Sequence, residues 1–171
     1  TVKRMALSAL RNIRTSGIRA LTLDEGDELI NVMRTDGEQN ILMATHNGQA
    51  ICFAETDVRP MGREAVGVRG IRLKDGDWVV GAEIAQPDAS VLSITEKGYG
   101  MDPAEYIRGG EEPQHRGGSG MKNYNITDKT GPVAAVKVVQ DSDDVLVVSD
   151  DGVIIRMEAA GISELGRATQ G

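Results

Sequence analysis

A chain of 171 residues with 40% apolar and 26% charged side chains can bury a sizeable core, and with only 3% aromatics that core must be aliphatic. A single cysteine, Cys52, excludes an internal disulfide and fits a reducing compartment. No signal peptide is recognisable and no apolar run approaches the ~18 residues of a membrane span, so the chain reads as soluble and cytoplasmic, with no membrane partner.

In chain order, residues 1–16 begin on Val2-Lys3-Arg4-Met5, a strand-like run whose analogue is Val153-Ile154-Ile155-Arg156-Met157. We read 1–16 as part of a repeat. The abrupt start, and the stop on Gly171, are expected of a piece of a longer chain. A first full repeat, about 17–66, opens on Gly17-Ile18-Arg19-Ala20-Leu21 and an acidic turn at Asp24 to Asp27, followed by an expected strand over Leu29 to Met33. Ile41 to Thr45 and Ile51 to Phe53 then flank Asn47-Gly48, a strong hairpin signal because type I′ turns need positive φ at both central residues. The second repeat, 67–119, reproduces the order: Gly67-Val68-Arg69, the turn Lys74 to Asp77, an apolar run from Trp78 to Ile84, then Val91 to Ile94 and a hairpin at Lys97-Gly98. Its extra residues fall in a connector over Ala104 to Glu112. The third, 120–171, predicts strands at Val133 to Val139, Val145 to Val148 and Val153 to Ile155, the last two around Asp151-Gly152.

The repeat is held together by marker glycines, Gly17, Gly67, Gly120 and Gly171, spaced by 50, 53 and 51 residues. Arg63, Arg116 and Arg167 stand four places before three of them. Arg19, Arg69 and Lys122 stand two places after. The richest marker segment is Gln114-His115-Arg116-Gly117-Gly118-Ser119-Gly120, where glycines let backbone amides approach a ligand and arginine offers a permanently charged fork suited to phosphate.

Charge balance bears on what such a segment can bind. With 19 Lys+Arg against 26 Asp+Glu the net charge is −7, which repels nucleic acid unless basic groups are segregated. Acid gathers at turns, as in Asp75-Gly76-Asp77, Asp141 to Asp144 and Asp150-Asp151-Gly152, whereas the basic residues accompany the markers. A shared period implies a shared side of the fold, hence an acidic molecule with one basic rim.

Short strands in groups of about four, at a period near 50, define an all-β propeller-like architecture, and the nearly continuous apolar hairpin strands imply sheets covered on both faces. Three blades do not close a ring, so the chain is expected to be an arc of a larger disc. Catalysis, metal binding and a resident cofactor are not expected: His46 and His115 lie in different repeats, the acidic turns lack the order of a calcium loop, and no phosphate loop or nucleophile elbow is present. Cys52 in Ala50-Ile51-Cys52-Phe53 reads as a small buried hydrophobe, and Trp78 as core or edge packing rather than a base-stacking platform.

The segment 114–120 resembles the glycine-rich basic box, Q-[RK]-R-G-G-[RK]-G, of the C-terminal domain of DNA gyrase A. Gly62-Arg63-Glu64-Ala65-Val66-Gly67 and Gly166-Arg167-Ala168-Thr169-Gln170-Gly171 resemble its weaker copies, and Arg59 to Arg63, Gly67 to Ile71 and Asn125 to Lys129 are similar to its inter-blade segments. The resemblance covers the whole chain. It implies a β-pinwheel, whose blades exchange strands, of about three blades plus part of a preceding one, and a role in wrapping double-stranded DNA for negative supercoiling driven by ATP elsewhere in the enzyme. By the same resemblance the partners are DNA, the remainder of gyrase A and the gyrase B protein, on the bacterial nucleoid. The DNA-binding residues it implies are Gln114, His115, Arg116, Gly117, Gly118, Ser119, Gly120, Arg63, Arg167, Arg69, Lys122 and Arg19. This chain departs from the full box at His115 and Ser119, leaving Arg116 as its one permanent charge and predicting weak wrapping by this piece alone. The alternatives are a protein-interaction propeller and the equivalent domain of topoisomerase IV.

Overall fold

The computed structural model describes residues 1–101, 113–166 and 168–171. The strands are β1 (Asn40–Thr45), β2 (Gln49–Ala54), β3 (Val79–Ala85), β4 (Ser90–Thr95), β5 (Gly100–Met101), β6 (Met121–Lys122), β7 (Val133–Val139), β8 (Asp144–Val148) and β9 (Ile154–Glu158). Short 3-10 turns, including Leu7–Leu10, Glu55–Asp57 and Ala159–Gly161, supply the helical content. The connector at Ala104 to Glu112 and the marker arginine Arg167 lie outside the described residues.

The three hairpin glycines, Gly48, Gly98 and Gly152, all have positive φ, between +77° and +83°, but Asn47 does not, so the expected type I′ turn is corrected: Gly48 N–H returns to Thr45 O at 3.0 Å and closes a turn in which the glycine alone is left-handed. Gly48 is held hardest: a Cβ there would sit 2.6 Å from Tyr124 O. Each hairpin contributes the middle of a sheet, and later residues complete it.

Strand order in the first sheet is β3-β1-β2-β6, all antiparallel. The hairpin β1–β2 therefore takes one outer strand from the second repeat span and the other from the third. The second sheet repeats the pattern as β5-β4-β7, with Ser90↔Val139 matching Asn40↔Ala85. A third sheet holds β8 and β9 among the described residues. At the start of the chain, Val2 bridges Val68 through paired backbone bonds of 2.7 and 2.9 Å, just as β2 bridges β6. The sheets form an open series, not a closed ring.

Both faces of the first hairpin are used. Leu42, Ala44, Ala50 and Cys52 pack on one side with Val91, Tyr124, Val133 and Val136, while Ile41, Met43, Ile51 and Phe53 pack on the other with Val58, Ile71 and Ala82. Alternate residues of a strand point to opposite faces, so a run apolar at every position is what two packed faces require. Successive sheets come closest where β3 meets β7: a Cβ at Gly81 would lie 3.3 Å from Val136 O.

Two further expectations are corrected. Leu29 to Met33 carries no assigned strand, and Leu29, Ile30 and Val32 are exposed. A strand needs a hydrogen-bonded neighbour, and no described residues supply one there. In the third sheet Leu146, Val148, Ile154 and Ile155 are also exposed, because no described sheet is stacked on that hairpin.

A buried carboxylate pins the start of the chain to the first sheet. Glu55 is 4% exposed and accepts from Thr35 Oγ1 at 2.7 Å and from the Gly37 and Gln39 N–H groups at 2.9 Å. Arg4 Nε lies 3.5 Å from it, and Arg4 Nη1 also donates to Glu55 O and Val58 O. Burial pushes this carboxyl up, but the hydrogen bonds from Thr35, Gln39 and Gly37 and the Arg4 charge outweigh that and hold it below the usual glutamate range.

Candidate nucleic-acid interface

Gly17, Gly67, Gly120 and Gly171 have φ of +77°, +116°, +70° and +72°, a region only glycine enters without cost. Three of them also pass directly over a preceding backbone. A Cβ on Gly67 would fall 2.7 Å from Val2 O, one on Gly171 2.7 Å from Gly100 O, and one on Gly120 would overlap Ala50 O. Two of the side chains two residues after a marker lie on or beside an outer strand: Lys122 lies in β6, and Arg69 follows Val68 in its bridge to Val2.

The segment 114–120 runs as a strap between β2 and residues 70–72. Gln114 N–H donates to Cys52 O at 2.7 Å, Gly117 N–H to Gly70 O at 2.5 Å, and Gly118 O accepts from Arg72 N–H at 2.7 Å. The strap's backbone polar groups are thereby used in joining β2 to residues 70–72. Arg116, half-buried, donates from Nε to Asp57 O at 2.8 Å and from Nη1 to Arg69 O at 3.2 Å. His115 stands out with its side chain 95% exposed, Nδ1 3.1 Å from Asp57 Oδ2. Gln114 Oε1 is buried with no hydrogen-bond partner among the described residues. Ser119 and Gly118 are exposed, and Gly117 takes φ +82°.

The remaining sequence-predicted residues divide by environment. Arg63 is half-buried and donates from Nη1 to Arg19 O at 3.3 Å. Arg19 and Arg69 are exposed, with no side-chain partner among the described residues. Lys122 is exposed and donates to Asn125 Oδ1 at 2.7 Å. Sequence reasoning missed Arg72, exposed and tied by its amide to the strap. It also missed Lys3, whose Nζ donates to Ala20 O, Arg63 O and Ala65 O at 2.6–3.0 Å and locks the Gly67 marker in place. Arg72 follows Gly67 by five places, where the other markers have Thr22 and Asn125, so no periodic signal pointed to it. Nothing in the sequence marks Lys3.

Trp78 is exposed and stacks on His46, ring centroids 3.7 Å apart, at the turn end of the first sheet. Cys52 is buried and its thiol is pushed up to about 11 by burial. Among the described residues no group of three or more His, Cys, Asp or Glu side chains converges as for a metal ion.

An open series of antiparallel sheets that exchange outer strands, with left-handed glycines at their crossings, defines a propeller-like pinwheel module. A family model described as "DNA gyrase C-terminal domain, beta-propeller" matches residues 1–36, 39–86, 112–140 and 143–171. The chain is 42% identical over 173 residues to DNA gyrase A of Staphylococcus aureus, covering 99% of this chain and 19% of that protein. Among solved structures, a C-terminal domain of DNA topoisomerase IV superposes with a TM-score of 0.90 at 26% identity, over 99% of this chain and 52% of the other. A DNA gyrase A C-terminal domain superposes with a TM-score of 0.79, also at 26% identity, over 91% and 53%. The chain belongs to the DNA gyrase C-terminal domain family. It spans about a fifth of the length of the curated relatives it matches. The family model and these relatives give the topoisomerase IV alternative no preference over gyrase.

Proposed function

We propose that this chain is a non-catalytic DNA-wrapping module: double-stranded DNA lies along its basic rim and is presented to the rest of a gyrase, formed by the remainder of gyrase A and by the gyrase B protein. The observation that carries this reading is the recurrence of an exposed basic residue, Arg19, Arg69 and Lys122, at one position after successive markers, on a chain of net charge −7. In an acidic molecule, positive charge repeated along a single edge favours a polyanion that follows that edge. The box residues Gln114 to Gly120, with Arg63 and Arg167, belong to the same proposed interface.

Recognition would be of backbone, not bases. No described element is a helix suited to the major groove, and aromatic side chains are too few for a stacking track. Bending a duplex of 20–30 base pairs costs about 1–6 kcal/mol, so wrapping needs several such contacts acting together. The module needs no cofactor of its own and works in the cytoplasm, on the nucleoid. No helix among the described residues is long and apolar enough to cross a membrane.

The test is a salt titration of affinity for a long linear duplex, read by fluorescence anisotropy. Contacts from Arg19, Arg69 and Lys122 alone give a slope of log K against log salt of about −3. No binding at low salt, or binding indifferent to salt, would refute DNA wrapping and favour the protein-interaction propeller.

A further inference from the structure

We infer that the arginine four residues before a marker glycine is a positioning residue, which fixes the backbone of the preceding marker's rim residue, and that this rim residue meets the phosphate. The inference rests on the DNA reading above and assigns different tasks to basic residues which that reading treats alike.

Two occurrences carry it. Arg63 Nη1 donates to Arg19 O at 3.3 Å, and Arg116 Nη1 donates to Arg69 O at 3.2 Å. The donor is four places before its marker both times, and the acceptor two places after the previous marker. The same atom of the same residue type thus reaches the same backbone position across 44 and 47 residues of chain. The fork of Arg116 is held further by Nε on Asp57 O at 2.8 Å, which fixes the plane of the guanidinium.

A strut is needed at this place. Arg69 lies between Gly67, at φ +116°, and Gly70, so its local backbone has unusual freedom. An exposed side chain on such a segment loses much conformational entropy when it docks on phosphate. Bonding its carbonyl to Arg116 and pairing Gly70 O with Gly117 N–H and Arg72 N–H with Gly118 O removes that freedom in advance. Arg116 cannot turn fully towards DNA without leaving the Asp57 and Arg69 carbonyls, and those bonds are charge-assisted. Arg69 has no such commitment.

Duplex DNA affinity of the 171-residue chain, measured against salt for R69Q, R116Q, R116K and the double variant R69Q/R116Q, separates the roles. Thermal melts first establish that each variant is folded at the titration temperature. R69Q is expected to flatten the salt slope by about 0.9, one phosphate contact. Positioning predicts that R116Q flattens it by no more than that and that the double variant matches R69Q alone, because Arg116 acts through Arg69. It also predicts that R116K, which keeps the charge but not the fork, behaves like R116Q. A double variant flattened by about 1.8, full rescue by R116K, or an R116Q that binds like the parent would overturn the inference while leaving the DNA reading intact. If R116Q fails to fold, R116K and the equivalent pair R63Q and R19Q decide the matter in the same way. Failure of the parent chain to bind duplex DNA would overturn the DNA reading, and this inference with it.

Discussion

Replacing a marker glycine by alanine should cost very different amounts at Gly17 and Gly120, although sequence gives both the same role. Each has a left-handed backbone, φ +77° and +70°, and a side chain in that region costs about 1–2 kcal/mol. At Gly17 nothing lies within 4 Å of an added Cβ, so G17A should lose about that much and no more. At Gly120 the new methyl would overlap Ala50 O and lie 2.9 Å from Ala50 C, with Ile71 Cδ1 at 3.4 Å. Ala50 pairs with Met121, so its carbonyl cannot withdraw without opening the β2–β6 ladder. Overpacking of this kind adds about 1–3 kcal/mol, which brings G120A to about 2–5 kcal/mol. Urea unfolding followed by Trp78 emission, which reports the stacked turn end of the first sheet, measures both. The G120A midpoint should fall about 1 M further than that of G17A, taking an m-value of about 1.5–2 kcal/mol/M. Equal midpoints would refute the claim that marker glycines are selected by close backbone approach as well as by φ.

Glu55 should make stability depend on acid. Its folded carboxyl is held below the ordinary range, so its contribution is present above about pH 4.3 and is lost as pH falls through the folded value. E55Q should flatten the pH dependence of urea midpoints in that acid window, and E55A should cost about 3 kcal/mol by stranding two amides and Arg4. The Cys52 thiol, raised from 9.0 to about 11 and buried, should react with a thiol reagent at pH 8 about a hundredfold slower in the folded chain than in urea. Folded and unfolded rates that agree would show a mobile β2. Ala168 is a non-glycine residue at positive φ, +63°, so A168G should stabilise by about 0.5–1 kcal/mol in the same urea assay; a lowered midpoint would count against strain there.

Much of the fold was legible in the sequence because its signals are local. A glycine just after a polar residue and between two apolar runs marks a hairpin turn from its neighbours alone, and Gly48, Gly98 and Gly152 were readable for that reason. The run Ile41-Leu42-Met43-Ala44 announced a strand packed on both faces because every position is apolar, and both clusters exist. The box was legible as a place but not as a geometry. Arg116 was read by its charge, while its bonds go to Asp57 O and Arg69 O, 59 and 47 residues away, and nothing near Arg116 in sequence names them. Leu29 to Met33 misled for the converse reason: β propensity without a neighbouring strand makes no sheet.

Periodicity in the chain therefore decided the recurrence of strand and turn, the hairpins and the aliphatic core, since each depends on residues within a few places of one another or on a fixed interval. Only the tertiary structure decided which strands share a sheet. The first sheet draws β1 and β2, β3 and β6 from three successive repeat spans, and β2 meets β6 across a separation of about seventy residues. Pairing partners across such distances are chosen by how sheets stack and where an outer strand can cross, which is a property of the assembled core. That same stacking turns one repeated arginine into a strut and leaves another exposed on the rim, although both carry the same charge in the sequence.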